Sequence, residues 1–564
     1  MSNLTPTIGA LPQILEATAA RVPDSTALIY FGTRIDYSTL QLHAGRLAAG
    51  LQAMGVAKGD RVGLLLGNCP QFFIGYFGAL RAGAIVTATS TMYTPREIGH
   101  QWNDAGVKVV IIDRSFLPTV KATLPLLASA PKIVITGLRQ YCPRPYANLR
   151  NSLNSSGPPP TNQSSSPPDL DGIGGRDALG AVAPAEFGSR HGTVYRWAEV
   201  LRLRAIPHPV EVAGDDIACL QYTGGTTGRS KGAMLSHGNL ICNAVQASER
   251  LRLGKDQSDM MVAALPLFHI YAMTCVMNSS VQIGACVVVL PRFELKAALK
   301  VIRKYRPTIF HGVPTMYVAF NNAPHVERYG FNSLRICMSG GAPLPVDVRE
   351  KFEALTGGHL LEGYGLTETS PVTHINPPTG SPRVGSIGLP VQDTDARIMD
   401  LETGEQEMPI GEVGEIVIRG PQVMQGYWNR PGETSMVLRN GWLYTGDVAR
   451  KDADGYFYIV DRKKDLIIAG GYNIYPREVE EVLFECPKVR EAGVIGVPDS
   501  YRGETVKAFV VLKAGVVADS GEIIDFCRER LASYKVPRQV VFIDALPRSA
   551  VGKYLRRELR NLSA

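Results

Sequence analysis

Residues 222–239 read YTGGTTGRSKGAMLSHGN, a run of glycines and hydroxyl side chains around one lysine. Consecutive small residues let the backbone curl and turn its N–H groups toward one point, which suits a phosphate group. Gly224, Gly225 and Gly228 supply that freedom, Lys231 adds a full positive charge, and Thr223, Thr226 and Thr227 add hydroxyl donors. The segment leads into what reads as a helix, and a nucleotide is the leading ligand. A P-loop needs Gly-Lys-Ser/Thr, whereas Lys231 stands between Ser230 and Gly232, and GxGxxG is absent as well. Taken alone the stretch is equally a surface turn.

Other constellations follow in order. Leu265-Pro-Leu-Phe-His269 sets one histidine in an apolar segment, alone more often a satisfied core residue than a catalytic one. Ser339-Gly-Gly-Ala-Pro343 is a tight turn after a strand, where glycine permits close ligand approach. Glu362-Gly-Tyr-Gly-Leu-Thr-Glu368 combines an aromatic face for adenine with a hard carboxylate for Mg²⁺. Asp447, in Tyr444-Thr-Gly-Asp447, offers a carboxylate for ribose hydroxyls, though alone it is an ordinary turn residue. By themselves the run Asp461-Arg-Lys-Lys-Asp465 is a solvated charged face and Lys553 an exposed lysine.

The elements that must position these groups alternate between helical and strand-like texture. Residues 38–54 and 70–82 read as helices, and 60–66 and 107–112 as buried strands, which argues an α/β architecture with mainly parallel sheets. Beyond residue 385 the texture shifts to short strands with Gly and Asp turns, a small antiparallel β unit. The final hundred or so residues form a compact domain, with helices at 476–484 and 521–532 and strands at 492–497 and 507–513. Residues 151–170 break the pattern, with six Ser and five Pro among twenty. Such a segment cannot offset its ordering entropy, so a disordered insertion is expected from about 144 to 188.

Composition excludes several classes. With 564 residues, 45% apolar and 20% charged, this is ordinary globular material, and a net charge of +7 is no nucleic-acid signature. The nine cysteines show no CxxC pair and read as thiols of a reducing compartment. The N-terminus lacks the basic start and apolar run of a signal peptide, and no apolar run spans a bilayer. A cytoplasmic location is expected.

Jointly and in this order, YTGGTTGRSKG, EGYGLTE, YTGD, DRKKD with GGYNIYPREVE, and LPRSAVGKYLRREL resemble the signatures of the adenylate-forming acyl-CoA synthetases, a superfamily that includes luciferases and peptide-synthetase adenylation domains. The resemblance covers the chain apart from the Pro/Ser-rich insertion. Within the superfamily, LQYTGGTTG, LLEGYGLTE, GSIGLPV, GPQVMQGYW, YIVDRKKD and NIYPREVE look most like long-chain fatty-acid CoA ligases. The implied fold is α/β: a large N-terminal domain over 1–462, made of two α/β subdomains and a small β-barrel, followed by a small mobile α+β C-terminal domain over 463–564.

The resemblance implies two half-reactions. A carboxylate attacks the α-phosphate of ATP to give an acyl-adenylate and pyrophosphate, and the thiol of coenzyme A then displaces AMP. Residues 223–228 and Lys231 would hold the β- and γ-phosphates, Thr367 would touch the α-phosphate, and Glu368 would bind Mg²⁺. Gly341, Ala342, Pro343 and Tyr364 match the adenine-binding positions, Glu362, Gly363 and Gly365 of the same motif count with the nucleotide-binding residues, and Asp447 and Arg462 match the ribose pair. Lys553 matches the catalytic lysine of adenylation and Lys464 the hinge, where rotation would withdraw Lys553 and bring in Gly470 and Gly471. His269 matches a position gating the acyl site or the coenzyme A tunnel. Residues 270–275, 311–315 and 338–341 are the candidate acyl pocket, small and apolar as an alkyl chain requires.

A medium- to long-chain fatty acid is therefore the expected substrate. Aryl-CoA ligases of the coumarate or benzoate type and fatty acyl-AMP ligases serving a carrier protein are the alternatives. Nucleic acid is not an expected partner. Peripheral membrane contact and homodimerisation stay open.

Overall fold

A computed structural model describes residues 9–142, 193–203, 205–223, 230–254, 259–379, 382–469, 472–499, 502–548 and 554–562. The expected insertion at 144–188 lies outside the described residues. So do Gly224, Gly225, Thr226, Thr227, Gly228, Gly470, Gly471, Lys553 and the side chain of Lys464.

The described residues of 1–380, 391–393 and 420–435 form one compact unit, and those of 381–390, 394–419 and 436–564 a second. The first unit holds two largely parallel sheets, matching the two expected α/β subdomains. One has the order Val194–Arg196, Lys132–Thr136, Val107–Asp113, Arg61–Leu65, Ile85–Ala88, Ile217–Thr223, Lys231–Ser236. All its neighbours are parallel except the last pair. In the other, Thr26–Tyr30, Cys286–Val289, Met260–Ala263, Ile309–Gly312, Ile336–Ser339 and His359–Gly365 run parallel, with antiparallel strands Thr33–Asp36 and Val372–Ile375 beyond them.

Local sequence explains the helices that cover these sheets. Helix Tyr37–Ala53 starts where the Asp36 carboxylate accepts the Thr39 N–H at 2.7 Å, and it buries Leu40, Leu47 and Leu51. It packs closely on Pro70–Arg81. A Cβ on Gly78 would lie 2.9 Å from the Ala44 carbonyl, so glycine sets that distance. Helix Pro95–Ala105 opens on a Thr94/Glu97 capping box and stops at Gly106, whose φ is 64°.

The second unit contains an antiparallel sheet of Asp395–Met399, Val413–Arg419, Trp442–Lys451 and Leu438–Arg439, with Phe457–Arg462 also paired to Trp442–Lys451. These five strands form the small antiparallel β unit expected beyond residue 385. The same unit holds Tyr472–Ile474, Ile467–Ala469, Gly503–Leu512 and Val489–Asp499, with Gln539–Phe542 parallel to Gly503–Leu512. Helices Pro476–Glu485 and Ser520–Arg528 contribute Val479, Leu483 and Ile523 to a core with Val494 and Val510, an α+β arrangement. All nine cysteines are free thiols.

Candidate active site

The glycine-rich segment joins two antiparallel strands. Ile217–Thr223 enters it and Lys231–Ser236 leaves it, with Thr223 and Lys231 opposite each other in the ladder. The segment runs on into a helix as expected, with the strand Lys231–Ser236 interposed. Ser236 is the residue that accepts the Asn239 N–H at 3.1 Å, so helix His237–Arg250 starts only after the strand. The two feet of the hairpin are braced. The Ser230 hydroxyl donates to the Thr223 carbonyl, His100 Nε2 lies 3.0 Å from the Ser230 carbonyl, and the Tyr222 hydroxyl donates to Asp104 at 2.7 Å.

From its strand, Lys231 forms an ion pair with Glu433 and sits 5.1 Å from the ring centroid of Tyr427. The hydroxyl of Tyr427 in turn donates to Glu368 Oε1 at 2.7 Å. Burial, reinforced by the Glu368 charge, pushes the Tyr427 phenol far above its ordinary value, so it stays a donor. The backbone of Glu368 is fixed by the Met424 N–H at 2.8 Å, in the turn Thr367–Thr369. The predicted Lys231 and Glu368 are thus gathered around one tyrosine, with Thr367 next to Glu368 in the chain. Tyr427 and Glu433 were missed by sequence reasoning, although Tyr427 lies inside the GPQVMQGYW string; both meet Lys231 across about two hundred residues of sequence.

Strands Ile309–Gly312, Ile336–Ser339 and His359–Gly365 end on the same side because they are parallel, and ligands favour that side of such sheets. The turn after Ser339 carries Gly341 at φ 78°, then Ala342 and Pro343. Glu362 is buried and its Oε1 accepts the Leu344 N–H at 3.3 Å. It therefore braces the turn. Gly363 precedes Tyr364, which is half-buried with its ring 6.1 Å from that of His374. A Cβ on Gly365 would collide with the Pro371 carbonyl at 2.0 Å, so only glycine lets the Thr367–Glu368 turn lie this close.

His269 opens the short helix Ile270–Ala272, its Nδ1 accepting the Tyr271 N–H at 3.3 Å. The Tyr271 hydroxyl donates to the Met338 carbonyl at 3.3 Å and lies 3.4 Å from His311 Nδ1. The predicted acyl-pocket segments therefore touch one another through Tyr271. Burial lowers the His311 pKa to about 4, so the imidazole is neutral at physiological pH and this region presents no fixed charge.

In the second unit Asp447 and Arg462 are register partners on adjacent strands, with Nε 3.5 Å from Oδ1. Glu415 holds the neighbouring Gly446 N–H at 2.9 Å and Lys463 at 3.0 Å. Lys464 lies in the turn Lys463–Asp465. On either side of it, Asp461 and Asp465 receive the Arg556 guanidinium at 2.9 and 3.4 Å, and Glu480 receives its other nitrogen at 2.8 Å. Arg556 follows the predicted Lys553 by three residues.

One unit holds a glycine-rich segment between two paired strands beside the Glu368 carboxylate, and the chain belongs to the AMP-binding enzyme family. Residues 15–428 match the family's AMP-binding enzyme domain and 478–553 its C-terminal domain. The chain is 46% identical over 550 residues to a long-chain-fatty-acid–CoA ligase of Bacillus subtilis, covering 97% of this chain and 94% of that one. Among solved structures, ATP-bound MatB from Rhodopseudomonas palustris superposes with a TM-score of 0.81 at 30% identity, covering 98% and 99% of the two chains. The o-succinylbenzoate CoA synthetase of Bacillus subtilis in complex with ATP and magnesium ion gives 0.76 at 30% identity, covering 97% and 99%.

Proposed function

We propose that this protein activates a medium- to long-chain fatty acid with ATP and transfers the acyl group to coenzyme A. The carboxylate attacks the α-phosphate, an acyl-adenylate and pyrophosphate form, and the thiol then takes the acyl group and releases AMP. The observation that carries the reading is the grouping of Lys231, Tyr427 and Glu368 beside the glycine-rich hairpin, in a chain 46% identical to a long-chain-fatty-acid–CoA ligase.

An anion must approach a polyanion in the first step, so fixed positive charge and N–H donors come first. Lys231 and the hairpin residues 223–228 bind the β- and γ-phosphates, and Thr367 reaches the α-phosphate. Gly341, Ala342, Pro343 and Tyr364 receive the adenine, while Asp447 and Arg462 take the ribose. Lys553 bridges carboxylate and phosphate oxygens during adenylation, and Lys464 is the hinge about which Gly470 and Gly471 are brought in for thioester formation. His269 gates the acyl site.

Among the described residues no cluster of three or more His, Cys, Asp or Glu forms a metal cage. One carboxylate, Glu368, oriented by Tyr427, suits Mg²⁺, which is commonly held by one or two carboxylates together with substrate phosphates. When bound, the ion neutralises charge on the phosphate oxygens. The domain boundary near residue 463 and a cytoplasmic location belong to the same proposal. No helix among the described residues is long and apolar enough to cross a membrane, and the reading requires neither a second subunit nor a membrane contact.

The test is carboxylate-dependent pyrophosphate release with ATP and Mg²⁺ on acids from acetate through palmitate to benzoate, with and without coenzyme A. Coenzyme-A-dependent turnover that peaks on long alkyl acids is expected. Activity confined to aryl acids, or adenylate without thioester, overturns the substrate or the acceptor.

A further inference from the structure

Glu433 has no part in the roles assigned so far, yet its carboxylate holds the only lysine between residues 217 and 236. A side-chain anion on a phosphate-binding cation competes with the phosphate. Resting on the ATP-dependent reading above, we propose that Glu433 is a displaceable counter-ion: it keeps Lys231 aligned before nucleotide binds, then yields it to the phosphate and transfers to Arg430.

Three observations carry this exchange. First, the two oxygens of Glu433 face two cations: Oε2 meets Lys231, and Oε1 lies 3.7 Å from Arg430 Nε. A carboxylate that loses Lys231 is therefore not left unpaired. Second, Arg430 cannot follow the lysine. Its Nη2 is fixed on Asp104 Oδ1 at 2.7 Å, and the other oxygen of Asp104 accepts the Tyr222 hydroxyl, also at 2.7 Å. Third, the pair is reachable, the Lys231 and Glu433 side chains being 21% and 33% exposed. A phosphate carries more charge than a carboxylate and brings more acceptor oxygens, so it wins a pair that water already screens. The Tyr427 ring beneath the ammonium keeps Lys231 pointed during the exchange.

The resulting device favours polyphosphates. A triphosphate brings more charge and more acceptor oxygens to Lys231 than inorganic phosphate, which must break the same pair.

The experiment is calorimetric binding of ATP, and separately of inorganic phosphate, to the whole chain and its variants. Glu433→Gln is expected to tighten ATP binding by about two- to fivefold, the range of partly exposed ion pairs, and to tighten inorganic phosphate by at least as much. Glu433→Asp, which keeps the charge, stays near the parent. Weaker or unchanged ATP binding by Glu433→Gln overturns the proposal and makes Glu433 a plain brace. Arg430→Gln gives an independent reading even if Glu433→Gln does not fold: with no second cation to receive Glu433, ATP binding weakens, and an unchanged affinity overturns the exchange. A parent protein that binds ATP but releases no pyrophosphate with any acid defeats the reaction assigned above and leaves this binding test intact.

Discussion

Tyr427 and Glu368 are joined by a 2.7 Å hydrogen bond across fifty-nine positions of sequence, and the same tyrosine presents its ring to Lys231. The phenol thus orients the carboxylate assigned to Mg²⁺ without being a ligand. Tyr427→Phe keeps the ring and removes the donor. The Mg²⁺ concentration giving half-maximal pyrophosphate release should rise about ten- to a hundredfold, the usual effect of losing a group that orients a metal ligand. The rate at saturating Mg²⁺ should stay close to the parent's; a Mg²⁺ titration at fixed ATP decides the matter.

The Asp447–Arg462 register pair makes a second prediction. Asp447 is buried at 7% exposure, so its carboxylate is held rigidly toward whatever binds there. Asp447→Asn preserves the shape and removes the charge. AMP binding measured by calorimetry should weaken about tenfold or more, in keeping with a hydrogen bond to a charged group. An unchanged affinity would take the ribose away from this pair.

Arg556 offers a contrast within one helix. Its side chain is 14% exposed and serves three carboxylates, whereas Arg560, 42% exposed, pairs with Asp465 alone. Removing one partner of a buried network leaves charges uncompensated, at a cost of about 3–5 kcal/mol, while losing the exposed Arg560 leaves Asp465 still paired with Arg556 and costs about 1 kcal/mol or less. Denaturant unfolding should therefore show Arg556→Leu strongly destabilised and Arg560→Ala nearly unaffected. Similar losses for both would contradict the burial argument.

Acid should weaken the first unit through its histidines. Burial lowers the pKa of His43, His237 and His311 to about 4 and that of His374 to about 3. In the unfolded chain each titrates near 6.5. Between those values the unfolded state binds more protons, so unfolding free energy falls as pH drops from about 6.5 toward 4. Each histidine contributes on the order of 2 kcal/mol of that loss between pH 7 and pH 5. Urea midpoints at pH 7 and pH 5 should differ markedly in the parent, and His311→Gln should narrow the difference whatever its absolute stability.

Much of this was legible in the sequence because it depends on local spacing. The helix at 37–53 and the strands at 61–65 and 107–113 fall within a residue or two of their expected positions, each set by apolar periodicity and a nearby cap or turn. Lys231 and Glu368 stood out by motif. The strand Lys231–Ser236 was hidden because six residues rich in small side chains carry little periodicity, and its pairing with Ile217–Thr223 is what reveals it. Glu362 adds something its motif does not announce: buried, it accepts the Leu344 N–H and braces the turn after Ser339. Tyr427, Glu433 and Arg430 owe their positions to folding that returns residues 420–435 to the first unit, which no local pattern announces.

The guanidinium of Arg556 bridges Asp461 and Asp465, which flank Lys464 on both sides. It acts on the chain there as a pawl acts on a ratchet wheel. Any swing of the backbone at Lys464 must lift the guanidinium off at least one of those two carboxylates before motion begins. Were the chain to turn at Lys464, the loss of one of these ion pairs would set the threshold. That threshold would then be open to adjustment at Arg556, a residue with no assigned contact to nucleotide or acyl group.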